Sequence, residues 1–164
     1  MCKIWAIAHH EGWKWLPVTR SGSRPPTTIF RTDFVITMTV PDVSQLVLII
    51  DDEEAVREAV SDILGFTGIG VLTAVDGVSG IDLFRANHHD IDLVLLDLSM
   101  PGLNGADTFQ ELRKIDPTVK VILSSGFDEA EATRPFVGQG LAGFLQKPYN
   151  MKDLVVKVSE YMGR

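Results

Sequence analysis

Five short apolar runs, separated by longer amphipathic stretches, restrict the folds open to this chain more than any other feature. The runs are LVLII (46–50), IGVLTA (69–74), DLVLL (92–96), KVILS (120–124) and AGFLQ (142–146). Their apolar residues are consecutive instead of alternating, which is typical of strands buried on both faces. Elsewhere apolar residues recur at helical spacing, for example from 56 to 64 and from 154 to 162. The pattern predicts a doubly wound α/β domain in which helices cover a five-stranded parallel sheet.

Residues 1–45 differ in composition from the rest of the 164-residue chain. They contain all three tryptophans and the turn-rich stretch SGSRPP at 21–26. TDFVITMTV (32–40) has the β-branched content of a strand, but one strand and a few aromatic residues do not build an independent core. We therefore predict an N-terminal extension of unknown role over 1–45 and one main domain over 46–164.

The formal net charge of −7 is concentrated in the main domain. Residues 1–45 hold five Lys and Arg against three Asp and Glu, a balance of +2, and residues 46–164 hold ten against nineteen, a balance of −9. Nucleic-acid binding relies on clustered cations, so we expect none here. No apolar run approaches the about 20 residues that span a bilayer, and IWAIA at 4–8 is too short for a signal-peptide core. We expect a cytoplasmic protein that does not bind membranes.

Polar side chains follow four of the predicted strands. They are Asp51 and Asp52 after the first, Asp97 after the third, Ser124 and Ser125 at the end of the fourth, and Lys147 after the fifth. Right-handed crossovers bring the carboxyl ends of parallel strands to one edge of the sheet, so these side chains should meet. Three carboxylates within about 5 Å would repel by roughly 3 kcal/mol per pair at an effective dielectric constant near 20.

A divalent cation would resolve this repulsion. Oxygen ligands without nearby His or Cys favour Mg²⁺ over zinc. Carboxylates that hold Mg²⁺ beside a lysine and a hydroxyl are typical of phosphoryl-transfer sites, where the lysine and the hydroxyl bind the remaining phosphoryl oxygens. The residues therefore predict an aspartyl-phosphate site. The turn residues of MPGLNG (100–105) let the backbone wrap this site before a helix begins near Asn104, a good N-cap residue.

Four motifs resemble the receiver domain of bacterial two-component response regulators, in the manner of the chemotaxis regulators. They are LIIDDE, LVLLDLSMPGLNG, VILSSG and QKP, in order, each at the end of a predicted strand. The resemblance covers essentially all of 46–164. It implies a flavodoxin-like sheet with strand order 2-1-3-4-5, and a phosphoacceptor aspartate that receives its phosphoryl group from a phosphohistidine on a sensor histidine kinase or a histidine phosphotransfer protein.

The resemblance also implies a role for each motif residue. Asp97 would be the phosphoacceptor, and Mg²⁺ would be held by Asp51, Asp52, Asp97 and the backbone carbonyl of Ser99. Ser124 and Lys147 would contact the phosphoryl group, and Ser124 with Phe144 would relay its presence. The relay would switch the surface formed by the fourth helix, fifth strand and fifth helix, where we expect a homodimer or a kinase-domain contact. The peptide bond before Pro148 is expected to be cis.

Two other functions compete with this interpretation. An aspartate-nucleophile phosphohydrolase of the haloacid-dehalogenase type carries D-x-D-x-T on its first strand, whereas the candidate nucleophile here follows the third strand in LDLSM and has no second Asp two residues on. A degenerate receiver that only binds a partner would lack motif residues, and all are present. We therefore expect no enzyme beyond Mg²⁺-dependent self-phosphorylation and self-dephosphorylation.

The output of the module is left open by the sequence. The chain ends at Arg164, just after the last helical pattern, so we expect no effector domain to follow it. A stand-alone receiver and the C-terminal receiver of a hybrid histidine kinase are both compatible with this.

Overall fold

The chain divides into two units, Met1–Thr39 and Val40–Arg164. The computed structural model describes residues 4–9, 12–17 and 45–162. In the first unit, strands β1 (Ile4–His9) and β2 (Gly12–Pro17) pair in antiparallel register. This pair of strands was not predicted. The predicted linker and the strand at 32–40 lie outside the described residues, and the boundary at residue 45 stays a prediction.

The second unit is built on a parallel sheet of five strands. Its strands are β3 (Leu46–Ile50), β4 (Gly70–Ala74), β5 (Leu93–Asp97), β6 (Val121–Ser125) and β7 (Gly143–Gln146). Their order across the sheet is β4-β3-β5-β6-β7. Counted from β3, this is the order 2-1-3-4-5, so the predicted fold class and topology are confirmed. Each strand lies within one residue of its apolar run because burial on both faces marks these runs clearly.

Helices follow each strand of the sheet. They are α1 (Glu54–Phe66), α2 (Gly77–Asn87), α3 (Gly105–Ile115), α4 (Glu129–Thr133) with a 3₁₀ turn at Arg134–Phe136, and α5 (Met151–Met162). The fourth is short because Pro135, which has no N–H to donate, lies two residues after its end. No helix among the described residues is long and apolar enough to cross a membrane.

The core consists of two apolar layers, one on each face of the sheet. Alternate strand residues such as Leu96 and Leu123 pack with Phe109 and Phe136 in one layer, which we call the α2–α4 face. Their neighbours Leu95 and Ile122 pack with residues of α1 and α5 in the other layer, the α1/α5 face. Because strand side chains alternate, one residue step moves a side chain from one layer to the other.

The start of α3 is held against the end of β5. Asn104 caps α3, as predicted, and its side-chain oxygen accepts a hydrogen bond of 2.9 Å from the Asp107 N–H. The next residue must be small, since a Cβ at Gly105 would lie 2.5 Å from the Asp97 carbonyl oxygen and 2.7 Å from Leu98 Cα. This close approach fixes the backbone that carries Asp97.

Candidate functional site

Three carboxylates meet at the carboxyl edge of the sheet. Asp97 is the last residue of β5, and Asp51 and Asp52 directly follow β3. One oxygen from each lies within 4.8 Å of the others. Asp51 and Asp97 are only 3% and 5% exposed, whereas Asp52 faces solvent. The two buried acids therefore need a positive partner.

Lys147 supplies that partner at the end of β7. Its Nζ donates to Asp51 Oδ2 at 2.8 Å and to Asp97 Oδ1 at 3.0 Å, and it lies 3.7 Å from Glu53 Oε1. Burial alone would lower the pKa of Lys147, but the hydrogen bonds to both carboxylates outweigh it and hold that pKa above its ordinary value. The ammonium therefore stays charged at neutral pH.

Asp97 is destabilised as an anion despite this lysine. Burial raises the pKa of the Asp97 carboxyl, and the hydrogen bond and charge of Lys147 offset only part of that effect. The compensation is incomplete because one lysine is shared between two buried carboxylates. The negative charge of Asp51 raises the pKa of Asp97 further. The site thus carries excess negative charge that a cation would neutralise.

Backbone groups fix the orientation of the acids. The Glu53 N–H donates to Asp51 Oδ1 at 2.9 Å, and the Ser99 N–H donates to Asp97 Oδ2 at 3.1 Å. The Arg57 guanidinium donates to the Asp51 carbonyl at 2.7 Å and ties the loop to α1. The predicted metal ligand at Ser99 is its carbonyl, and this role stays a prediction.

The donor set fits Mg²⁺. Three carboxylates supply only hard oxygen atoms, one of them from a solvent-facing side chain that leaves the ion open to water and phosphate. Among the described residues this is the one group of acidic, His or Cys side chains with the spacing to hold a metal. The three carboxylates carry more negative charge than the Lys147 ammonium neutralises, and this surplus also favours a divalent cation.

Comparison with known proteins decides the family. The family model described as the response regulator receiver domain matches residues 47–159. The chain belongs to this family. Sensor kinase CckA of Brucella abortus is 34% identical over 119 residues, covering 73% of this chain but only 13% of that kinase. Chemotaxis protein CheY of Treponema pallidum is 28% identical over 117 residues, 71% of this chain and 81% of that protein.

Solved structures agree with the family. A response regulator receiver domain protein from Clostridium thermocellum superposes with a TM-score of 0.68 at 31% identity, covering 73% of this chain and 95% of that one. The peptide bond between Lys147 and Pro148 is cis, which confirms the expectation from the receiver resemblance. This chain is thus a receiver domain of two-component systems, preceded by residues outside the family match.

The two adjacent serines of this receiver domain face different layers. Ser124 pairs in register with Leu145 and shares the α1/α5 face with it, whereas Phe144 pairs with Leu123 on the α2–α4 face. Ser125, one residue on, therefore points to the face of Phe144. Its hydroxyl is buried and accepts a hydrogen bond of 3.2 Å from the Phe127 N–H. The structure does not bring the predicted pair Ser124 and Phe144 together, because the one-residue step reverses the side chain.

Sequence reasoning overlooked Tyr149, which follows the QKP motif. Its ring packs on the α1/α5 face, and its hydroxyl is buried without a hydrogen-bond partner. Burial raises the pKa of Tyr149, and the nearby Ser124 hydroxyl and the Lys147 charge oppose that shift. The signal in the sequence was a tyrosine two residues after the site lysine.

Proposed function

We propose that this receiver domain accepts a phosphoryl group on Asp97 from a phosphohistidine of a histidine kinase or a histidine phosphotransfer protein. The observation that carries this proposal is Lys147, whose ammonium bridges the buried carboxylates of Asp51 and Asp97 at 2.8 and 3.0 Å. Because the carboxylate is buried, water does not compete with it as the nucleophile. The lysine beside the carboxylate is placed to bind the phosphoryl group that the carboxylate attacks.

The transfer exchanges one bond for another. An Asp97 carboxylate oxygen attacks phosphorus in line with the leaving imidazole nitrogen, so the N–P bond breaks as the O–P bond of the acyl phosphate forms. Lys147 moves from the carboxylates to a phosphoryl oxygen and offsets its charge. Mg²⁺, held by Asp51, Asp52, Asp97 and the Ser99 carbonyl, would neutralise the charge that develops on the transferred group.

The output route we propose runs along the α2–α4 face. The Ser125 hydroxyl would turn to the phosphoryl group, leave the Phe127 N–H, and draw the loop between β6 and α4 inward. Phe144 shares that face and would fill the space the loop vacates. The surface formed by α4, β7 and α5 would then change for a partner or a second copy of the domain.

The role of Asp97 as the phosphoacceptor is tested with a small phosphate donor. Incubation with acetyl phosphate and Mg²⁺ should add one phosphoryl group by intact mass, and Asp97→Asn should abolish the addition. Asp62→Asn, which removes the same charge from an exposed position on α1, is the matched control and should be labelled normally. Labelling of Asp97→Asn would refute the assignment, and so would an acid-stable, base-stable product, because acyl phosphates hydrolyse in base.

The setting of the domain is a second proposal. The match to a sensor kinase, of which this chain spans 13%, favours the receiver of a hybrid histidine kinase over a stand-alone regulator. The acidic charge favours protein partners over nucleic acid. Mapping the 5′ end of the native transcript tests this, since a reading frame that continues upstream into kinase motifs would support it and a start at Met1 would exclude it.

A further inference from the structure

Two buried hydroxyls lie unused beside the acids. Ser124 Oγ and Tyr149 Oη are the two buried side-chain polar atoms among the described residues that have no hydrogen-bond partner. Ser124 is only 1% exposed. Buried polar groups in folded proteins are nearly always paired, and the exceptions concentrate where a group is kept for a second state or a ligand. Neither hydroxyl has a role in the transfer described above.

Both hydroxyls are next to the phosphoacceptor. Asp97 and Ser124 are register partners on neighbouring strands, and both side chains leave the sheet on the α1/α5 face, as Leu95 and Ile122 do two residues earlier. Neighbouring strands lie about 4.8 Å apart, so a rotation of the Ser124 side chain brings its hydroxyl to the Asp97 carboxyl group. Tyr149 packs on the same face, and its hydroxyl lies near that of Ser124 without meeting the geometry of a hydrogen bond.

Phosphorylation would remove one of the two donors that Asp97 now has: the Lys147 ammonium on Oδ1 would leave, whereas the Ser99 N–H lies at Oδ2. The incoming group carries about −1.5 to −2 charge and attracts the Lys147 ammonium away from Asp97 Oδ1. Where the new bond to phosphorus forms at Oδ2, the carbonyl oxygen left in the acyl phosphate is Oδ1, which has then lost its hydrogen-bond donor. Ser124 and Tyr149 carry the two buried side-chain hydroxyls without a partner in the described part of the chain.

We propose that Ser124 and Tyr149 form a donor pair that replaces Lys147 when Asp97 is phosphorylated. The Ser124 hydroxyl donates to the carboxyl oxygen of Asp97, and the Tyr149 hydroxyl donates to Ser124 Oγ, with no proton transferred. Tyr149 is thus a positioning residue that holds Ser124 in the phosphorylated state, on the sheet face opposite Phe144. This inference rests on the proposed phosphorylation of Asp97.

The two tyrosines of the chain, Tyr149 and Tyr161, make a direct test. The full chain is labelled with 3-fluorotyrosine, and the two ¹⁹F resonances are assigned with Tyr149→Phe and Tyr161→Phe. On addition of beryllofluoride with Mg²⁺, the Tyr149 resonance should shift because its hydroxyl gains an acceptor. The Tyr161 resonance should move far less, and Ser124→Ala should remove most of the Tyr149 shift.

Affinity gives a second measurement on the same variants. Tyr149→Phe should weaken beryllofluoride binding, measured by calorimetry with Mg²⁺, by about two- to tenfold, since one hydrogen bond is lost in the bound state alone. Tyr161→Phe should bind as the parent chain does. A Tyr149 shift that survives Ser124→Ala, or that is no larger than the Tyr161 shift, would overturn the pair.

Phosphorylation of Asp97, on which the inference rests, is measured separately by intact mass. If acetyl phosphate labels Asp97 while the Tyr149 resonance stays in place, the donor pair is refuted and the phosphoacceptor function stands. If Asp97 takes up no phosphoryl group, both are refuted.

Discussion

The two faces of the sheet differ sharply at its carboxyl edge. On the α1/α5 face, Asp97 and Ser124 stand over a layer of aliphatic side chains and present charges and unpaired hydroxyls. On the α2–α4 face, Ser125 and Phe144 stand over an aromatic layer in which the rings of Phe109 and Phe136 meet edge to face. Adjacent residues of a strand face opposite layers, so a polar residue of the site is followed directly by one that faces the aromatic layer. We therefore expect substitutions in the aromatic layer to leave the charged groups of the α1/α5 face in place.

The largest effect is expected where the polar face loses the cation that pairs with both buried acids. Lys147→Met leaves Asp51 and Asp97 buried without a cationic partner, so we expect a loss of about 3 kcal/mol in the free energy of unfolding and no labelling by acetyl phosphate. Denaturant titration in EDTA measures the first and intact mass the second. Added Mg²⁺ should recover part of the stability of the variant because the ion neutralises the same carboxylates.

Lys157→Met is the control for that variant. Lys157 is paired at 3.3 Å with Glu160 on the surface of α5, where such pairs contribute little. A loss of stability equal to that of Lys147→Met would contradict the special position of Lys147.

A smaller effect is expected on the packed face. Phe144→Ala removes a buried ring from the α2–α4 layer and should cost about 2 kcal/mol, below the usual range because the ring lies on the edge strand β7. Labelling of Asp97 should stay within about threefold of the parent rate, since no atom of the site is lost. Amide exchange with beryllofluoride checks the relay: the change in protection over 127–140 should disappear in the variant. If labelling is abolished instead, the two faces are not separable.

Sequence patterns located almost the whole fold because the receiver sheet is buried on both sides. The strands begin with consecutive apolar residues, the cap at Asn104 has a side chain suited to its role, and Lys147 and the three acids mark the strand ends. What the patterns did not give is the face that each hydroxyl uses. Ser124 and Ser125 are chemically identical in the sequence, and only the strand register of Ser124 with Leu145 separates them. Tyr149 was overlooked because the surroundings of its hydroxyl depend on residues distant in sequence.

The pH dependence of stability tests the charge on the polar face. Because the folded-state pKa of Asp97 is raised, the protonated carboxyl is the form that the fold favours. Its contribution is fully present below the unfolded-state value of 3.8 and is lost as pH rises through the folded-state pKa. Asp97→Asn, which cannot ionise, should therefore become more stable relative to the parent chain as pH rises across that window. Thermal unfolding of both proteins in EDTA measures this, and a difference that shrinks with rising pH would mean that Lys147 outweighs burial.

The smallest effects are expected at the two serines, where the sign matters more than the size. Ser124→Ala deletes a buried hydroxyl that has no partner, so the unphosphorylated domain should be unchanged or about 0.5 kcal/mol more stable. Ser125→Ala deletes the acceptor of the Phe127 N–H and should cost about 1 kcal/mol. The two variants remove the same atom from adjacent positions, so each controls for the other. Denaturant titration of the unphosphorylated proteins resolves the difference. Equal losses at both positions would show that Ser124 is already hydrogen-bonded before phosphorylation, and its free hydroxyl would then no longer distinguish the α1/α5 face.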